Sequence, residues 1–314
     1  LLIAHSVNAK DGRMAVKISG LINTWNEAET IRYAVESLKT WCDEVLVVDQ
    51  QSTDGTQRIA KACGAKVIEV EATGYVEVIR KLSVDLTEHD WVMVLDSDEI
   101  VLPALGQRLR QIAETGEANV VRIPRRNMIL GREMEHGQWW PNAKRRFFHK
   151  DWIDIRVEMH GGFHAAEGAT EIMLPMDRDR CLWHFSYHNI ADVVWKSQRY
   201  TTVQAWQRAR SGRTPGPRRW FRVALRQAWK EFVKGRAYRD GPAGIAVSVI
   251  RIMDRFLVQA KQWDELASHG RAEEYQRMKE EMLGLEHDPD LAPIDHSELE
   301  KLEKAPDAVG EVQF

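Results

Sequence analysis

Residues 16–124 alternate short apolar runs with longer amphipathic segments, and this alternation restricts the possible folds more than any other feature of the chain. The apolar runs lie at 16–23, 44–49, 65–70, 91–95 and 119–123, and the helix-like segments at about 28–40, 54–63, 75–87 and 104–115. Strands that alternate with helices in this way form βαβ units. We therefore expect an α/β fold with a mainly parallel, Rossmann-like sheet, helices on both faces, and a site beyond the carboxyl ends of the strands.

The rest of the chain does not follow this alternation. Residues 125–190 are rich in Trp, His and Arg and favour antiparallel strands or long loops, and helical spacing returns from residue 191. We expect four parts: an N-terminal extension at 1–15, the α/β domain at 16–190, a basic helical region at 191–263 and an acidic tail at 264–314. The tail is weakly apolar after about residue 284, where we expect an extended or disordered arm.

Composition is that of a globular protein, with 44% hydrophobic and 29% charged residues among 314. No apolar run approaches the roughly 20 residues that span a bilayer, and the first residues do not resemble a signal peptide. Three separated cysteines suggest neither a disulfide framework nor a zinc site, and we interpret His184 as a structural histidine. We expect a cytoplasmic protein.

Two carboxylates follow the fourth apolar run with one residue between them, in the segment Asp96-Ser97-Asp98-Glu99. Alternate residues of an extended segment point to one side, so Asp96 and Asp98 can share a hard divalent cation, which also binds phosphate oxygens. Acidic residues collect at strand ends for solvation as well. The segment outlines a site for a metal ion and a diphosphate.

Polar residues also follow the first two runs, as Asn23-Thr24-Trp25-Asn26-Glu27 and as Asp49-Gln50-Gln51-Ser52-Thr53-Asp54-Gly55-Thr56. Together with 96–99, this ordered set resembles the inverting family 2 glycosyltransferases of GT-A fold. The resemblance covers about 16–262. Later segments, such as Trp139-Trp140-Pro141 and 182–187, resemble the branch that includes lipopolysaccharide-core glucosyltransferases and some peptide glycosyltransferases.

The resemblance implies a nucleotide-sugar donor, with UDP the expected nucleotide. It implies that Asp49 hydrogen-bonds the nucleotide base and that Thr24, Asn26 and Glu27 lie against the nucleoside. Each has a structural alternative, since Asp49 can form an Asx-turn or an N-cap, and the Asn26 loop can cap the first helix.

The resemblance further implies Mg²⁺ or Mn²⁺ at the third segment. We prefer Asp98 as the metal ligand, with Asp96 nearer the ribose or the water shell of the metal, and we assign Ser97 to the donor site. Arg80 and Arg146 suit a diphosphate because a guanidinium is planar and always charged. The alternative for both is a solvated arginine.

Inversion needs a base that takes the proton of the acceptor. Relatives in this branch often carry a His-Glu pair, whereas residues 164–165 read His-Ala here. His164 is our first candidate, and His160, Glu158 and Glu167 are the alternatives. The departure also leaves open a non-catalytic nucleotide-sugar-binding protein that docks on membranes.

Charge is segregated although the net charge is only −3: residues 195–240 hold thirteen Lys/Arg and two acids, and residues 264–314 hold fifteen acids and five bases. Basic residues recur every fourth position at Arg218, Arg222, Arg226, Lys230 and Lys234. Phe221, Leu225 and Phe232 lie on another side, so 218–234 predicts a cationic amphipathic helix. Such a helix suits an anionic membrane surface or a lipid-diphosphate acceptor, and a packed surface helix is the alternative. Nucleic acid is disfavoured because no binding motif accompanies the charge.

These observations predict a metal-dependent glycosyltransferase that inverts the sugar carbon. We expect its acceptor to be a glycan or lipid-linked glycan, met peripherally at the inner face of a membrane. A peptide or protein acceptor is the alternative. A sugar-phosphate nucleotidyltransferase is disfavoured because its Gly-rich, Arg-containing loop is absent after the first strand.

Overall fold

The computed structural model describes residues 15–71, 76–155, 162–210, 212, 215–267 and 270–286. They form two compact units. The described residues of the first lie within 15–135 and 139–186, and those of the second within 136–138 and 187–286. Within this described part, no helix is both long enough and apolar enough to cross a bilayer.

The first unit contains most of the strands. In chain order its elements are β1 (Ile18–Thr24), α1 (Ile31–Lys39), β2 (Glu44–Asp49), α2 (Thr56–Ala62), β3 (Lys66–Glu69), α3 (Val76–Asp85), β4 (Trp91–Asp96), β5 (Glu99–Val101), α4 (Pro103–Thr115), β6 (Val120–Ile123), β7 (Arg125–Ile129), β8 (Arg132–Met134), β9 (Lys144–His149), β10 (Ile153–Ile155), β11 (Phe163–Ala165), β12 (Glu171–Met173) and β13 (Leu182–Tyr187).

Seven of these strands form the main sheet, in the order β12-β6-β9-β4-β1-β2-β3. β1 runs parallel to β2 and to β4, and β9 is antiparallel to its neighbours β4 and β6. All six residues of β2 are buried, as expected for a parallel strand covered on both faces. The expected α/β fold with a mainly parallel sheet and helices on both faces is confirmed.

Side chains on the two faces of the sheet form separate apolar clusters. One contains Leu38 of α1 and Leu105 of α4, and the other contains Ile79 of α3 and Phe148 of β9. Helix α4 packs closely against the side chain of Trp41 at Gly106, where an added Cβ would lie 2.5 Å from the Trp41 ring. The main sheet thus lies between two apolar cores, one on each of its faces.

Residues 125–190 form further strands, of which β9 and β12 join the main sheet and the others, together with β5, form two smaller sheets. One has the order β5-β13-β7-β8, and β10 pairs with β11 in the other. β5 directly follows the 96–98 turn and pairs with β13, so that Glu99 lies opposite His184. This pairing brings a distant segment next to the carboxyl end of β4.

The second unit is helical. It contains α5 (Ile190–Ala209), α6 (Pro217–Ala228), a π-helical segment (Trp229–Lys234), α7 (Gly241–Ala267) and α8 (Arg271–Leu283). A capping box of Asn189 and Asp192 begins α5.

The boundary expected at 263–264 falls inside α7, and α8 lies within the expected tail. The last turns of α7 before this boundary bury Val258, Gln259 and Gln262, and the side chain of Gln262 donates to the carbonyl of Arg208 in α5. Residues 1–14 and 287–314, where the extension and the arm were expected, lie outside the described residues.

Candidate functional site

Three strands end side by side in the middle of the main sheet. Thr24 of β1 lies opposite Asp49 of β2, and Asn23 of β1 lies opposite Asp96 of β4. The three motifs singled out in the sequence therefore meet at one edge of the sheet, which is where ligands bind in open α/β folds.

The loops after β1 and β2 are bonded to each other. The backbone N–H of Asn26 donates to the hydroxyl of Ser52 at 2.8 Å, and the Asn26 side-chain oxygen accepts from the N–H of Thr53 at 2.8 Å. The N–H of Glu27 donates to the hydroxyl of Thr56, also at 2.8 Å. These bonds fix the two loops as one surface.

The capping role considered for the Asn26 loop is wrong for Asn26 itself. α1 begins at Ile31 with Thr30 as its N-cap residue, so Asn26 lies too early to cap it. Its φ of 50° places it in the left-handed region, which Asn tolerates better than most residues. This backbone turn directs its side chain to the β2–α2 loop instead of the helix.

Asp49 is fully buried, and its carboxylate is occupied by its own loop. One oxygen accepts from the N–H of Ser52 at 2.9 Å and from the side chain of Gln57 at 2.6 Å, while the Ser52 hydroxyl donates to the other. Ser52 lies three residues after Asp49, one more than in an Asx-turn, and the N-cap residue of α2 is Gly55, so neither structural alternative is realised and the carboxylate instead fixes the β2–α2 loop. A contact with the nucleotide base stays a prediction.

Thr24 and Gln50 bury polar oxygens at the same edge. The Thr24 hydroxyl and the Gln50 side-chain carbonyl are inaccessible to solvent, and neither has a hydrogen-bond partner among the described residues. A buried polar atom without a partner costs free energy, which a bound molecule or water can recover. These two atoms mark the β1–β2 end as a place where a ligand can be held.

Arg146 and Glu99 form a buried charge cluster under the β4–β5 turn. Arg146 of β9 pairs with the carboxylate of Asp96 and lies 3.7 Å from Glu99, which also accepts from Arg125 at 3.1 Å. Burial raises the pKa of Glu99, but the guanidiniums of Arg146 and Arg125 outweigh it and hold that pKa below its usual value. Glu99 is therefore an ionised carboxylate that holds the guanidiniums of Arg146 and Arg125 in place.

Both arginines assigned to the diphosphate are buried. Arg146 is 1% exposed and Arg80 is 4% exposed, so the solvated alternative is wrong for both. The guanidinium of Arg80 lies 5.8 Å from the ring of Phe163, within the range of a cation–π contact. A role in binding diphosphate stays a prediction for each.

His184 is the functional candidate that the sequence interpretation missed. Its Nε2 lies 3.2 Å from a carboxylate oxygen of Asp98, and its Nδ1 lies 2.8 Å from the side-chain oxygen of Asn127. Asn127 donates its amide to the carbonyl of Trp139 at 2.7 Å, which fixes the amide orientation. Nδ1 must then carry the proton, and Nε2 faces Asp98. The sequence held no spacing signal for this pair, because β13 reaches β5 only in the folded sheet.

Asp98 and His184 are the residues that could hold a metal ion. Their side chains provide one oxygen and one nitrogen ligand, and the Asn127 oxygen that accepts from the other ring nitrogen of His184 fixes the orientation of the ring, as an acceptor behind a metal-binding His does. No group of three His, Cys, Asp or Glu side chains converges among the described residues. Magnesium is commonly held by one or two carboxylates and completes its shell with phosphate oxygens and water, so Asp98 fits such an ion. The imidazole of His184 is a softer ligand and favours Mn²⁺ over Mg²⁺. Asp96 pairs with Arg146, and its role at the metal ion or the ribose stays a prediction. Ser97 is buried in the turn between Asp96 and Asp98.

Two of the four candidate bases, His164 and Glu167, lie among the described residues. His164 lies on β11 opposite Asp154 of β10, and Glu167 is exposed in the following turn. Within the described residues, no hydrogen bond or ion pair joins His164 or Glu167 to the acids at the end of β4. His160 and Glu158 lie outside the described residues.

Residues 19–167 match the family model described as glycosyl transferase family 2. Uncharacterized glycosyltransferases of Rickettsia felis and Rickettsia bellii are 29% and 28% identical to this chain, over 78% of it and over 89% and 85% of their own lengths. The lipopolysaccharide core biosynthesis glycosyltransferase LpsC of Rhizobium meliloti is 22% identical over 81% of this chain and 94% of its own. A solved glucosyl-3-phosphoglycerate synthase from Mycobacterium tuberculosis, in complex with Mn²⁺ and UDP, is 28% identical with a TM-score of 0.32, covering 36% of this chain and 44% of that one. So limited a superposition assigns no ligand.

Proposed function

We propose that this chain, a glycosyltransferase whose residues 19–167 are a family 2 domain, transfers a sugar with inversion from a UDP-sugar to a glycan, with the help of Mg²⁺ or Mn²⁺. The observation that carries the proposal is the contact of His184 with Asp98 at the carboxyl end of β4. It provides a nitrogen and an oxygen ligand beside a turn that already contains Asp96.

The nucleoside is proposed to lie across the ends of β1 and β2. The unpartnered oxygens of Thr24 and Gln50 support this position, because they can accept or donate hydrogen bonds that the protein leaves unmade. Asn26 and Glu27 belong to the β1–α1 loop, which Ser52 and Thr56 hold in place, and Asp49 in turn fixes Ser52 of the β2–α2 loop. In this arrangement Asp49 positions the loop and reaches the base only if its bond to Gln57 opens.

Asp98 and His184 would hold the metal ion, and Asn127 would keep the histidine oriented. When bound, the ion supplies positive charge to the diphosphate that leaves with the nucleotide. Arg146, fixed by Asp96 and Glu99, adds a buried positive charge near the same turn. Arg80, on α3, is proposed as the second cation for the diphosphate.

A base must remove the proton from the acceptor hydroxyl as the sugar carbon inverts. His164 occupies the histidine position of the expected His-Glu pair, and Glu167 follows it in the turn after β11. We propose His164 as this base, with His160 and Glu167 as the alternatives.

For the acceptor we propose a glycan carried on a lipid. Alignment of LpsC over most of both chains supports an envelope glycan, since its name assigns that relative to lipopolysaccharide core biosynthesis. The cationic segment 218–234 supports a lipid-borne acceptor, because anionic head groups or diphosphate would be attracted to it.

Thermal shift with a panel of nucleotide sugars tests the donor and the metal together. Ligand that binds only the folded state raises the melting temperature. We expect a rise with a UDP-sugar plus Mn²⁺ that disappears with EDTA and with the variant Asp98→Asn. A panel in which no nucleotide sugar raises the melting temperature at any metal concentration contradicts the proposal.

A further inference from the structure

The helical unit exposes a row of large apolar side chains. Four of them follow at four-residue intervals along α6 and the π-helical segment, each more than half exposed: Phe221 (62%), Leu225 (69%), Trp229 (56%) and Val233 (60%). Exposed cations form a parallel row beside them: Arg218, Arg222, Arg226 and Lys234. Lys230 belongs to the same row and is half-buried.

The π-helical segment keeps these rows straight. Every fourth residue of an α-helix advances by about 40° around the axis, because 3.6 residues complete a turn. A π-helical turn is wider, with hydrogen bonds from i to i+5, as between the carbonyl of Lys230 and the N–H of Gly235 at 2.8 Å. Each residue of the π-helical turn therefore rotates less around the helix axis than an α-helical residue does, so four residues fall short of a full turn and offset the advance of about 40° in the α-helical part. Trp229 and Val233 thus stay on the side of Phe221 and Leu225.

A second apolar row lies on α7. This helix runs antiparallel to α6, since the rings of Phe221 and Phe256 are 5.8 Å apart and the hydroxyl of Ser248 donates to Glu231 at 3.4 Å. The register sets three exposed residues of α7 beside the first row. Met253, Val249 and Ile245 come next to Leu225, Trp229 and Val233, respectively. The result is a strip two helices wide.

Acidic and neutral polar side chains are absent from the exposed surface of 215–253, all of which is described. Every exposed residue there is apolar, aromatic, glycine or cationic. The two acids are buried: Glu231 pairs with Arg251 at 3.3 Å, and Asp240 bonds to the ring of His136 at 2.7 Å. Gln227 and Ser248 are buried with Glu231. Polar groups inside and apolar groups outside reverse the usual order of a water-exposed helix pair.

We propose that this strip, defined by Phe221, Leu225, Trp229, Val233, Ile245, Val249 and Met253 with its row of cations, docks on an anionic membrane surface. Apolar side chains with a Trp, flanked by Arg and Lys, are the composition of helices that lie in the interface of a bilayer. A second copy of the chain, set strip against strip, fits less well, because such a two-fold contact would bring the cationic rows together and residues 215–253 expose no acid to pair with them. This inference goes beyond the transfer reaction and uses residues of the helical unit alone.

Vesicle sedimentation of the full chain tests the proposal. We expect it to pellet with vesicles that contain phosphatidylglycerol, to stay in solution with pure phosphatidylcholine, and to be released by 0.5 M salt, which screens exposed charge. The triple variant Arg218→Gln, Arg222→Gln, Arg226→Gln should bind about 100-fold more weakly, from about fivefold per cation. The matched control is Arg32→Gln, Lys39→Gln, Lys81→Gln, three exposed cations of the first unit, and it should bind as wild type.

The variant Val249→Gln tests the two-helix strip, because Val249 lies outside 218–234. It should weaken binding about tenfold or more, whereas Leu82→Gln, an exposed apolar residue of α3, should not. Unchanged melting temperatures show that each variant folds, and unchanged donor binding separates this result from the transfer reaction. The proposal fails if the chain binds neither vesicle, if either strip variant binds as wild type, or if light scattering shows a dimer that Val249→Gln dissociates.

Discussion

His184 presents Nε2 to the carboxylate of Asp98 at 3.2 Å, and Asn127 holds the other ring nitrogen. β13 carries the histidine and the turn after β4 carries the aspartate, so two separate segments build the pair. Asp98 is the metal ligand expected from the sequence, and this contact makes His184 a second candidate ligand beside it. It also makes each residue separately testable.

Asp98→Asn and His184→Ala should each weaken Mn²⁺-dependent binding of UDP. The loss should be at least the 10–100-fold that removal of an outer-shell partner costs a metal site. Isothermal titration calorimetry with UDP, with and without Mn²⁺, measures it. Asp179→Asn and His188→Ala, which change two exposed residues that were assigned no role in the site, are the controls. Wild-type affinity in either site variant would remove that residue from the metal site.

Asn127→Ala should lower the affinity for Mn²⁺ by about 10–100-fold although Asn127 does not face the ion. Its side-chain oxygen sets the tautomer of His184, so the ring loses its fixed orientation when the amide is removed. Metal titration followed by the melting temperature measures the effect. A variant that melts lower without metal but binds Mn²⁺ as wild type would make Asn127 purely structural.

Thr24→Val should raise the free energy of unfolding by about 1 kcal/mol while it lowers donor affinity. The buried hydroxyl lacks a protein partner among the described residues, so an isosteric methyl relieves its desolvation cost. The same change removes a hydrogen bond that the bound nucleoside would make. Urea unfolding and UDP titration report the two effects. Donor affinity equal to wild type would place the nucleoside elsewhere.

His164→Ala should lower turnover by about 100-fold or more and leave donor affinity nearly unchanged, because a general base acts only in the chemical step. Glu167→Gln and His160→Ala made alongside it identify the alternatives. Sugar transfer to an acceptor extract and donor titration separate the two parameters. If His164→Ala retains turnover, the role passes to whichever companion variant loses it.

Glu99→Gln should destabilise the fold by about 3 kcal/mol at pH 7, since it leaves Arg146 and Arg125 without their buried partner. The folded-state pKa of Glu99 is lowered, so its stabilisation is complete above the unfolded pKa and is lost as pH falls through the folded value. The difference in the free energy of unfolding between wild type and variant should therefore be largest at pH 7 and smaller below about pH 4. Urea unfolding at both pH values measures it, and the exposed Glu117→Gln should show little change. A difference that is equal at both pH values would contradict the assignment.

Local chemistry in the sequence determined the five strands of the main sheet within residues 16–124, the helices between them and the three motifs at the edge of the sheet. Continuous apolar runs require burial on both faces, amphipathic spacers supply the cover, and parallel strands bring their carboxyl ends together whatever the loops contain. The placement of Asp49, Asp96 and Asp98 at this edge of the sheet therefore follows from the sequence alone. The row of cations in 218–234 could also be predicted, because the spacing of residues along one helix determines which side chains share a face.

Tertiary structure decided which partners these residues meet. His184 reaches Asp98 through the pairing of β13 with β5, and Arg146 meets Asp96 because β9 enters the sheet antiparallel beside β4. Short irregular strands carry no periodicity from which such pairings follow. The strip of exposed apolar side chains likewise needs the register of α7 against α6 and a π-helical turn, which are set by packing and not by the sequence of either helix alone.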